Sequence, residues 1–413
     1  MTPEDAERYL LSLELFGMRF GLDRMRRLMT ALDHPERRFR SIHVVGTNGK
    51  SSTARMIAAI LLRHGLRVGA YLSPHLVSFS ERIRIDDADL DPGAFAAAVG
   101  RAAHAAELVD RSLAGDDRVT QFEALTAAAY AELARREVEV AVIEAGLGGR
   151  YDATNVIPSR VQVLTSVGLE HTRWLGPTIP DIAGEKLDVV QPGATLVVGA
   201  GLHPDAEACA IEMAAERGAR LVRAGSDPGV AVGALGSFQR RNFALARAAA
   251  EAFLGQLDAG AVAAAASEVR VPGRLQEVAR DPLTLLDGAH NPEGMAALAE
   301  SLPDLVGGRD RLVAVVSILD DKDAAGMLAT LLRSCDALVF TSSQNPRALP
   351  PPTLQSLARQ LHGPPSEVVR DPRAALERAR ELAGRRGVVI ATGSIYLVAD
   401  LVRPVAQSQA STL

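Results

Sequence analysis

The chain has 413 residues, more than a single hydrophobic core usually supports, so two domains are expected. With 47% hydrophobic and 23% charged residues, and 45 Lys plus Arg against 50 Asp plus Glu for a net charge of −5, it reads as a soluble globular protein with no basic field for nucleic acid or an anionic membrane. Two distant cysteines, Cys209 and Cys335, exclude a disulfide framework, and neither the start MTPEDAERYL nor any later run has the pattern of a leader or a membrane span, so a cytoplasmic protein with small-molecule partners is expected.

Residues 4 to 33 read as helical. The segment Ile42 to Val45 is dominated by β-branched residues, as a buried strand requires, and Met56, Ile57, Ile60 and Leu61 then recur at helical spacing until Gly65 supplies a stop. Between strand and helix stands Gly46-Thr47-Asn48-Gly49-Lys50-Ser51. It ends in the Gly-Lys-Ser of a phosphate loop, in which backbone N–H groups surround phosphate oxygens, the lysine reaches the terminal phosphates and a hydroxyl meets Mg²⁺. Val44 occupies the place of the first glycine in the full pattern, so this is a shortened loop, and a nucleoside triphosphate is its natural guest.

A strand at Arg67 to Leu72 follows, then an irregular stretch SPHLVSFSERIRIDD, an alanine-rich helix from about 92 to 114 and another from about 120 to 136. Strands at Val138 to Ala145 and Val161 to Val167 precede an acid- and histidine-bearing loop, a helix near 178 to 190, and strands near 195 to 199 and 220 to 223. Strands alternating with helices predict an α/β fold with a doubly wound, mostly parallel sheet over residues 1–270, closed by the alanine-rich stretch 244 to 266. A smaller Rossmann-like α/β domain over 271–413 begins with VPGRLQEV. It continues through strand Leu283 to Leu286, the loop DGAHNPEG, strand Leu312 to Ser317, a helix from about 322 to 334, strand Ala337 to Thr341, a proline-rich loop QNPRALPPP and strand Val388 to Thr392.

Ligands of open α/β sheets gather beyond the carboxyl ends of the strands. There this chain carries Lys50 and Ser51, then Ser73, Glu144 and the pair Glu170-His171. Hydroxyls, a carboxylate and an imidazole beside a triphosphate are plausible Mg²⁺ ligands, although a lone histidine is more often structural and Glu144 could instead cap the glycine turn that follows it. Gly146, Gly148 and Gly149 in AGLGGRYDATN suit either a close backbone approach to a ligand or simple turn sterics.

The motifs HVVGTNGKSST, YLSPHL with SERIRI, EAGLGGRYDATNV, EHTRWLG with GEK, VPGRLQ, DGAHNPEG and DDKD stand in one order over nearly the whole chain. Together they resemble the folylpolyglutamate synthase and dihydrofolate synthase family of the Mur ligase superfamily, and FGMRFGLDRM is similar to that family's entry helix. The resemblance implies an ATP- and Mg²⁺-dependent amide ligase. ATP phosphorylates a carboxylate of dihydropteroate or a reduced folate, and the amine of L-glutamate attacks the acyl phosphate. It also implies a monomer.

Carried over by position, the resemblance gives nucleotide contacts to Gly46, Thr47, Asn48, Gly49, Lys50, Ser51, Ser52, Gln239 and Asn242, and to Arg274, Asp287 and His290 of the second domain. It makes Ser73, Glu144 and His171 metal ligands and Lys186 a lysine that is carbamylated in the family and helps bind a second Mg²⁺; without it, Lys186 reads as a solvated helix lysine. Lys50, His171 and Lys186 are the implied catalytic set. Ser73, Pro74, His75 and Arg82 would border the folate pocket, while Lys322 and Asp323 match a family pair that is also good helix-capping chemistry.

Three positions depart from the family's usual pattern. Ser51 stands where glycine normally follows the lysine, leaving Ser51 and Ser52 both eligible for the metal; Glu170 replaces the usual aspartate; and LDVVQPG follows Lys186. Two competing functions remain at this stage. One is another Mur-type amino-acid ligase, disfavoured because only about 40 residues precede the phosphate loop. The other is an NTP-binding relative whose catalysis has decayed, disfavoured by Glu144, His171 and Lys186.

Overall fold

The segment RSIHVV forms β1 (Arg40–Val45), buried over all but its first residue. In this computed structural model, which describes residues 1–13 and 21–404, the chain divides into two units: Met1–Gly233 with Arg241–Val269, and Ala234–Arg240 with Arg270 onward. The expected single boundary at 270 therefore misses the short segment Ala234–Arg240, which packs with the later residues.

In the first unit β1 lies inside an eight-stranded sheet with β2 (Val68–Tyr71), β3 (Ile83–Ile85), β4 (Ala88–Asp89), β5 (Val140–Glu144), β6 (Val161–Leu164), β7 (Thr195–Val198) and β8 (Arg220–Arg223), in the order β4-β3-β2-β5-β1-β6-β7-β8. Pairing is parallel from β2 to β8, with Val44 opposite Glu144 on one side and Val163 on the other. Strands covered on both faces become continuous apolar runs, and VAVIE in β5 is buried throughout. The helices Pro92–Asp110 and Gln121–Arg135 supply much of one core, with Tyr130 and Leu133 fully buried; Ile182, Leu187 and Leu196 anchor another.

Several local expectations change. The stretch read as irregular holds β3 and leads through Asp86 and Asp87, both at positive φ, into the antiparallel β4 just beyond it. The described part of residues 4 to 33 forms helices Pro3–Ser12 and Asp23–Ala31, and the FGMRF part of the entry-helix motif lies outside the described residues. The alanine-rich stretch 244 to 266 is two helices, Ser237–Leu254 and Ala259–Glu268, interrupted at Gly255, whose φ of +86° favours glycine.

The second unit holds β9 (Gln276–Arg280), β10 (Leu283–Leu286), β11 (Leu312–Val316), β12 (Ala337–Phe340), β13 (Ser366–Val368) and β14 (Val388–Thr392), ordered β13-β12-β11-β14-β10-β9. Only β9 runs antiparallel. The proline-rich loop ends in an unforeseen helix, Pro351–Gln360; β13 and the helix Pro372–Ala383 also escaped the sequence pattern. Among the described residues no helix is long and apolar enough to cross a membrane.

Candidate active site at the strand ends of the first unit

The turn after β1 is built for close approach. Gly46 has φ +148° and a Cβ there would collide with Thr165 Oγ1; Gly49, at φ +86°, begins the helix Lys50–Arg63, and its Cβ would lie 2.7 Å from Asn242 Oδ1. Only glycine fits either position. The turn is braced by the residues just past β6: Thr47 N donates to Ser166 O (2.8 Å), Asn48 N to Ser166 Oγ (2.9 Å), Thr165 Oγ1 to Asn48 O (2.7 Å) and Gly168 N to Thr47 Oγ1 (3.1 Å). Thr165 and Ser166 were not foreseen as site residues. Their one sequence signal is a pair of hydroxyls at a strand end inside an otherwise apolar run.

Two ammonium groups converge on one carbonyl of this turn. Lys50 Nζ donates to Gly46 O (3.0 Å) and Thr47 O (3.1 Å), and Lys186 Nζ, from the helix Ile179–Leu187, donates to the same Gly46 O (3.0 Å). Lys186 is buried, and that burial, with the neighbouring charge of Lys50, pulls its amine down to about 7. It is not a solvated helix lysine. Gly149 sets its position: a Cβ at Gly149 would stand 2.6 Å from Lys186 O, so the glycine turn after β5 packs directly on the lysine's helix.

On the other side of the loop Ser51 Oγ donates to Glu144 Oε1 (2.8 Å) and lies 3.2 Å from Ser73 O, while Ser73 N donates to Glu144 Oε2 (2.9 Å). Three predicted metal residues thus share one cradle of hard oxygen donors, which is the chemistry Mg²⁺ takes. The structure separates the two eligible hydroxyls: Ser51 joins this cradle, whereas Ser52 is buried in its helix. His171, the other residue that the resemblance makes a metal ligand, stands on the loop after β6. His171 Nε2 lies 3.9 Å from Glu170 Oε1, and no group of three His, Cys, Asp or Glu side chains suited to a metal forms among the described residues. One carboxylate with hydroxyls and phosphate oxygens is a sufficient set for so hard a cation, so a preformed cage is not required.

The remaining expected residues fall in three places. Arg82 is buried, its Nε donating to His75 Nδ1 (3.0 Å) and its guanidinium 5.3 Å from the Phe79 ring, so it braces the loop after Ser73 and Pro74. Asn242 stands beside Gly49 in the first unit, whereas the buried Gln239 belongs to the second. In the second unit Asp287, just past β10, accepts from Leu275 N (2.9 Å) and Ala289 N (2.8 Å); burial holds its carboxyl above the usual range, against the Arg274 charge. His290 Nδ1 lies 2.8 Å from Gly288 O, and a Cβ at Gly288 would clash with the Arg274 guanidinium, so Arg274, Asp287 and His290 do meet at one strand end. Asp323 caps the helix Ala324–Leu331 through Gly326 N (2.9 Å) and Lys322 Nζ lies 3.7 Å from Asp321, which is the capping alternative.

A second feature absent from the sequence reading lies beneath the glycine turn. Asp152 is buried and accepts from Leu147 N (2.8 Å), Thr154 N (3.0 Å) and Thr154 Oγ1, and Thr154 Oγ1 in turn lies 2.8 Å from His43 Nε2. Because the hydroxyl gives its proton to Asp152, His43 carries its own on Nε2. Burial pulls the His43 imidazole down to about 3, so it stays neutral.

Residues 273–395 match the family model described as Mur ligase, glutamate ligase domain. Over 456 aligned residues, 95% of this chain and 93% of its relative, the chain is 35% identical to the dihydrofolate synthase/folylpolyglutamate synthase of Mycobacterium tuberculosis. Folylpolyglutamate synthase of that organism, solved with ADP and AMPPCP, superposes with a TM-score of 0.88 at 34% identity, covering 96% of this chain and 97% of that one. Escherichia coli FolC, in complex with DHPP and ADP, gives a TM-score of 0.86 at 28% identity over 97% of each chain.

Proposed function

This chain belongs to the dihydrofolate synthase/folylpolyglutamate synthase family, and from that premise we infer that the strand ends of its first unit carry ATP-dependent ligation of L-glutamate to a folate-type acid. A carboxylate is a poor electrophile because it is anionic and would have to expel oxide. Transfer of the terminal phosphoryl group of ATP to one carboxylate oxygen breaks its bond to the bridging oxygen, releases ADP and makes a mixed anhydride. The glutamate amine then attacks its carbonyl carbon, the amide C–N bond forms, the C–O bond to phosphate breaks, and the amine's proton leaves to solvent or a nearby base.

The observation that carries this reading is the placement of Lys50, Lys186, Ser51, Ser73 and Glu144 around one glycine turn. Lys50 is positioned to neutralise terminal phosphate oxygens, and the N-terminus of its helix presents backbone N–H groups to the same charge. Ser51, Ser73 and Glu144 are the residues that would hold Mg²⁺, which when bound supplies charge neutralisation across the phosphates. Lys186, with its proton affinity lowered by burial, has an amine able to exist in the neutral form that carbamylation needs. His171 would meet the transferred group from the loop after β6. Asn242 and, in the second unit, Gln239, Arg274, Asp287 and His290 are assigned to the nucleotide; the loop at Ser73, Pro74 and His75 borders the acid. The reading extends to a cytoplasmic monomer taking dihydropteroate or a reduced folate.

The test is phosphate release from ATP and Mg²⁺ by purified protein, with glutamate and with dihydropteroate or a reduced folate supplied singly and together. Release that requires both the pterin acid and glutamate is expected, and Lys50→Ala should lower it by roughly 10³-fold while the unfolding temperature holds. Release indifferent to the pterin acid would defeat the assignment.

A further inference from the structure

Between β2 and β3 the chain leaves the sheet and returns through a single 3₁₀ turn, Phe79–Arg82. One carboxylate gathers this excursion. Glu81 Oε1 accepts from Val77 N and Ser78 N (both 2.7 Å), and Glu81 Oε2 accepts from Leu76 N (2.9 Å). Capping the 3₁₀ turn accounts for the bond from Ser78 N alone. The amides of Leu76 and Val77 lie upstream of the cap and wrap the loop around the charge, as successive N–H groups close on an anion. The next residue adds to the hold: Arg82 Nε donates to His75 Nδ1 (3.0 Å), and Leu72 N donates to Arg82 O (2.9 Å).

The tethered stretch leads directly into the cradle at the phosphate loop. Ser73 N donates to Glu144 Oε2 (2.9 Å), and Ser73 O lies 3.2 Å from Ser51 Oγ. Between Ser73 and the first tethered residue, His75, stands only Pro74, whose ring fixes φ, so a shift of the tethered backbone is carried to Ser73. The folding of the loop has a separate source. Leu76 is buried, and Phe79 and Ile83 belong to the same apolar core as Tyr71. Apolar burial makes the loop fold, and the charge at Glu81 sets where its backbone lies.

We propose that Glu81 is a positioning residue for phosphoryl transfer: by holding the amides of residues 76–78 it sets Ser73 against Glu144 and Ser51, and with it the oxygen cradle that would take Mg²⁺; this rests on the ligase reading above. Glu81 acts through backbone, since its hydrogen bonds go to amides of its own loop.

The experiment titrates Mg²⁺ against the full chain and its Glu81→Gln, Glu81→Asp and Ser78→Ala variants. The Mg²⁺ concentration at half effect is read twice, from the rise in unfolding temperature of the ADP-bound chain and from phosphate release with ATP, glutamate and dihydropteroate. Glu81→Gln keeps the side chain's shape but offers one acceptor oxygen in place of two, and it should raise the Mg²⁺ requirement about tenfold in both readouts. Glu81→Asp keeps the charge one methylene short and should recover part of that loss. Ser78→Ala breaks the cap yet leaves Leu76 N and Val77 N on Glu81, so it should lower the unfolding temperature without moving the Mg²⁺ requirement. If Glu81→Gln fails to fold, Glu81→Asp carries the test, with a requirement above wild type expected. An unchanged requirement in the folded Glu81 variants, or an equal rise in Ser78→Ala, would make Glu81 a cap alone and overturn the proposal while leaving the ligase reading intact. A wild-type rate that ignores dihydropteroate would overturn both.

Discussion

Each unit ends a buried parallel strand beside a buried carboxylate, yet the two carboxylates are engaged differently. Asp287, beyond β10, has each oxygen taken by a backbone amide, from Leu275 and from Ala289. Glu144, at the end of β5, has one oxygen on a backbone amide and the other on the hydroxyl of Ser51, the residue after Lys50. A carboxylate held by two amides fixes a turn. One held partly by a neighbouring hydroxyl can share that hydroxyl with a cation, and Lys50 and Lys186 stand on the same glycine turn. The same topological rule thus sets one carboxylate against the phosphate loop of its sheet and uses the other to anchor its own turn.

The sharpest way to break this contrast is to neutralise both carboxylates. Glu144→Gln keeps an acceptor for Ser73 N and offers Ser51 Oγ, which can accept as well as donate, an NH₂ group, but it removes the charge a metal needs, so phosphate release should fall by about 10²-fold or more with the unfolding transition nearly unmoved. A variant that kept its rate would remove Glu144 from the cradle. Asp287→Asn should do the reverse in kind: one of two backbone N–H groups faces an NH₂ group, and denaturant unfolding should show a loss of about 1–3 kcal/mol. If stability held and only the KM for ATP rose, Asp287 would serve the nucleotide without anchoring its turn.

A smaller effect sharpens the first unit alone. The unfolded chain protonates His43 near its ordinary pKa of about 6.5, whereas the folded chain resists until about 3. Between those values the unfolded state binds more protons, so stability falls as pH falls, by at most ~1.4 kcal/mol per pH unit. Above about 6.5 this contribution is fully present. His43→Gln lacks the titration, so between pH 7 and pH 5 wild type should lose ~1–2 kcal/mol more than the variant. Parallel stability curves would mean that His43 is protonated in the folded chain.

What the sequence made legible was whatever is local and chemically marked. Gly46 through Ser51 could be placed on a strand-to-helix turn because apolar periodicity changes across six residues. The hairpin of β3 and β4 escaped because it is short and turns through Asp86 and Asp87 at positive φ, without the glycine that usually signals such a turn. The helix Pro351–Gln360 hid behind prolines that read as loop but suit a first helical turn. At the site, Lys50 and Glu144 announced themselves by charge, whereas Thr165 and Ser166 act through uncharged hydroxyls and backbone groups that no spacing rule singles out. Arg82 shows what charge alone leaves unread, since nothing in the sequence says that its Nε meets His75 and its guanidinium lies beside Phe79.

The contact between Gly149 and the backbone of Lys186 reaches beyond packing. It acts as a gauge block, since the thickness of one missing methyl sets how far the amine stands from the loop it serves. Drift at position 149 is therefore drift in the lysine's address, and a saturation library there would report the tolerance of the chemistry to misplacement without touching any reacting group.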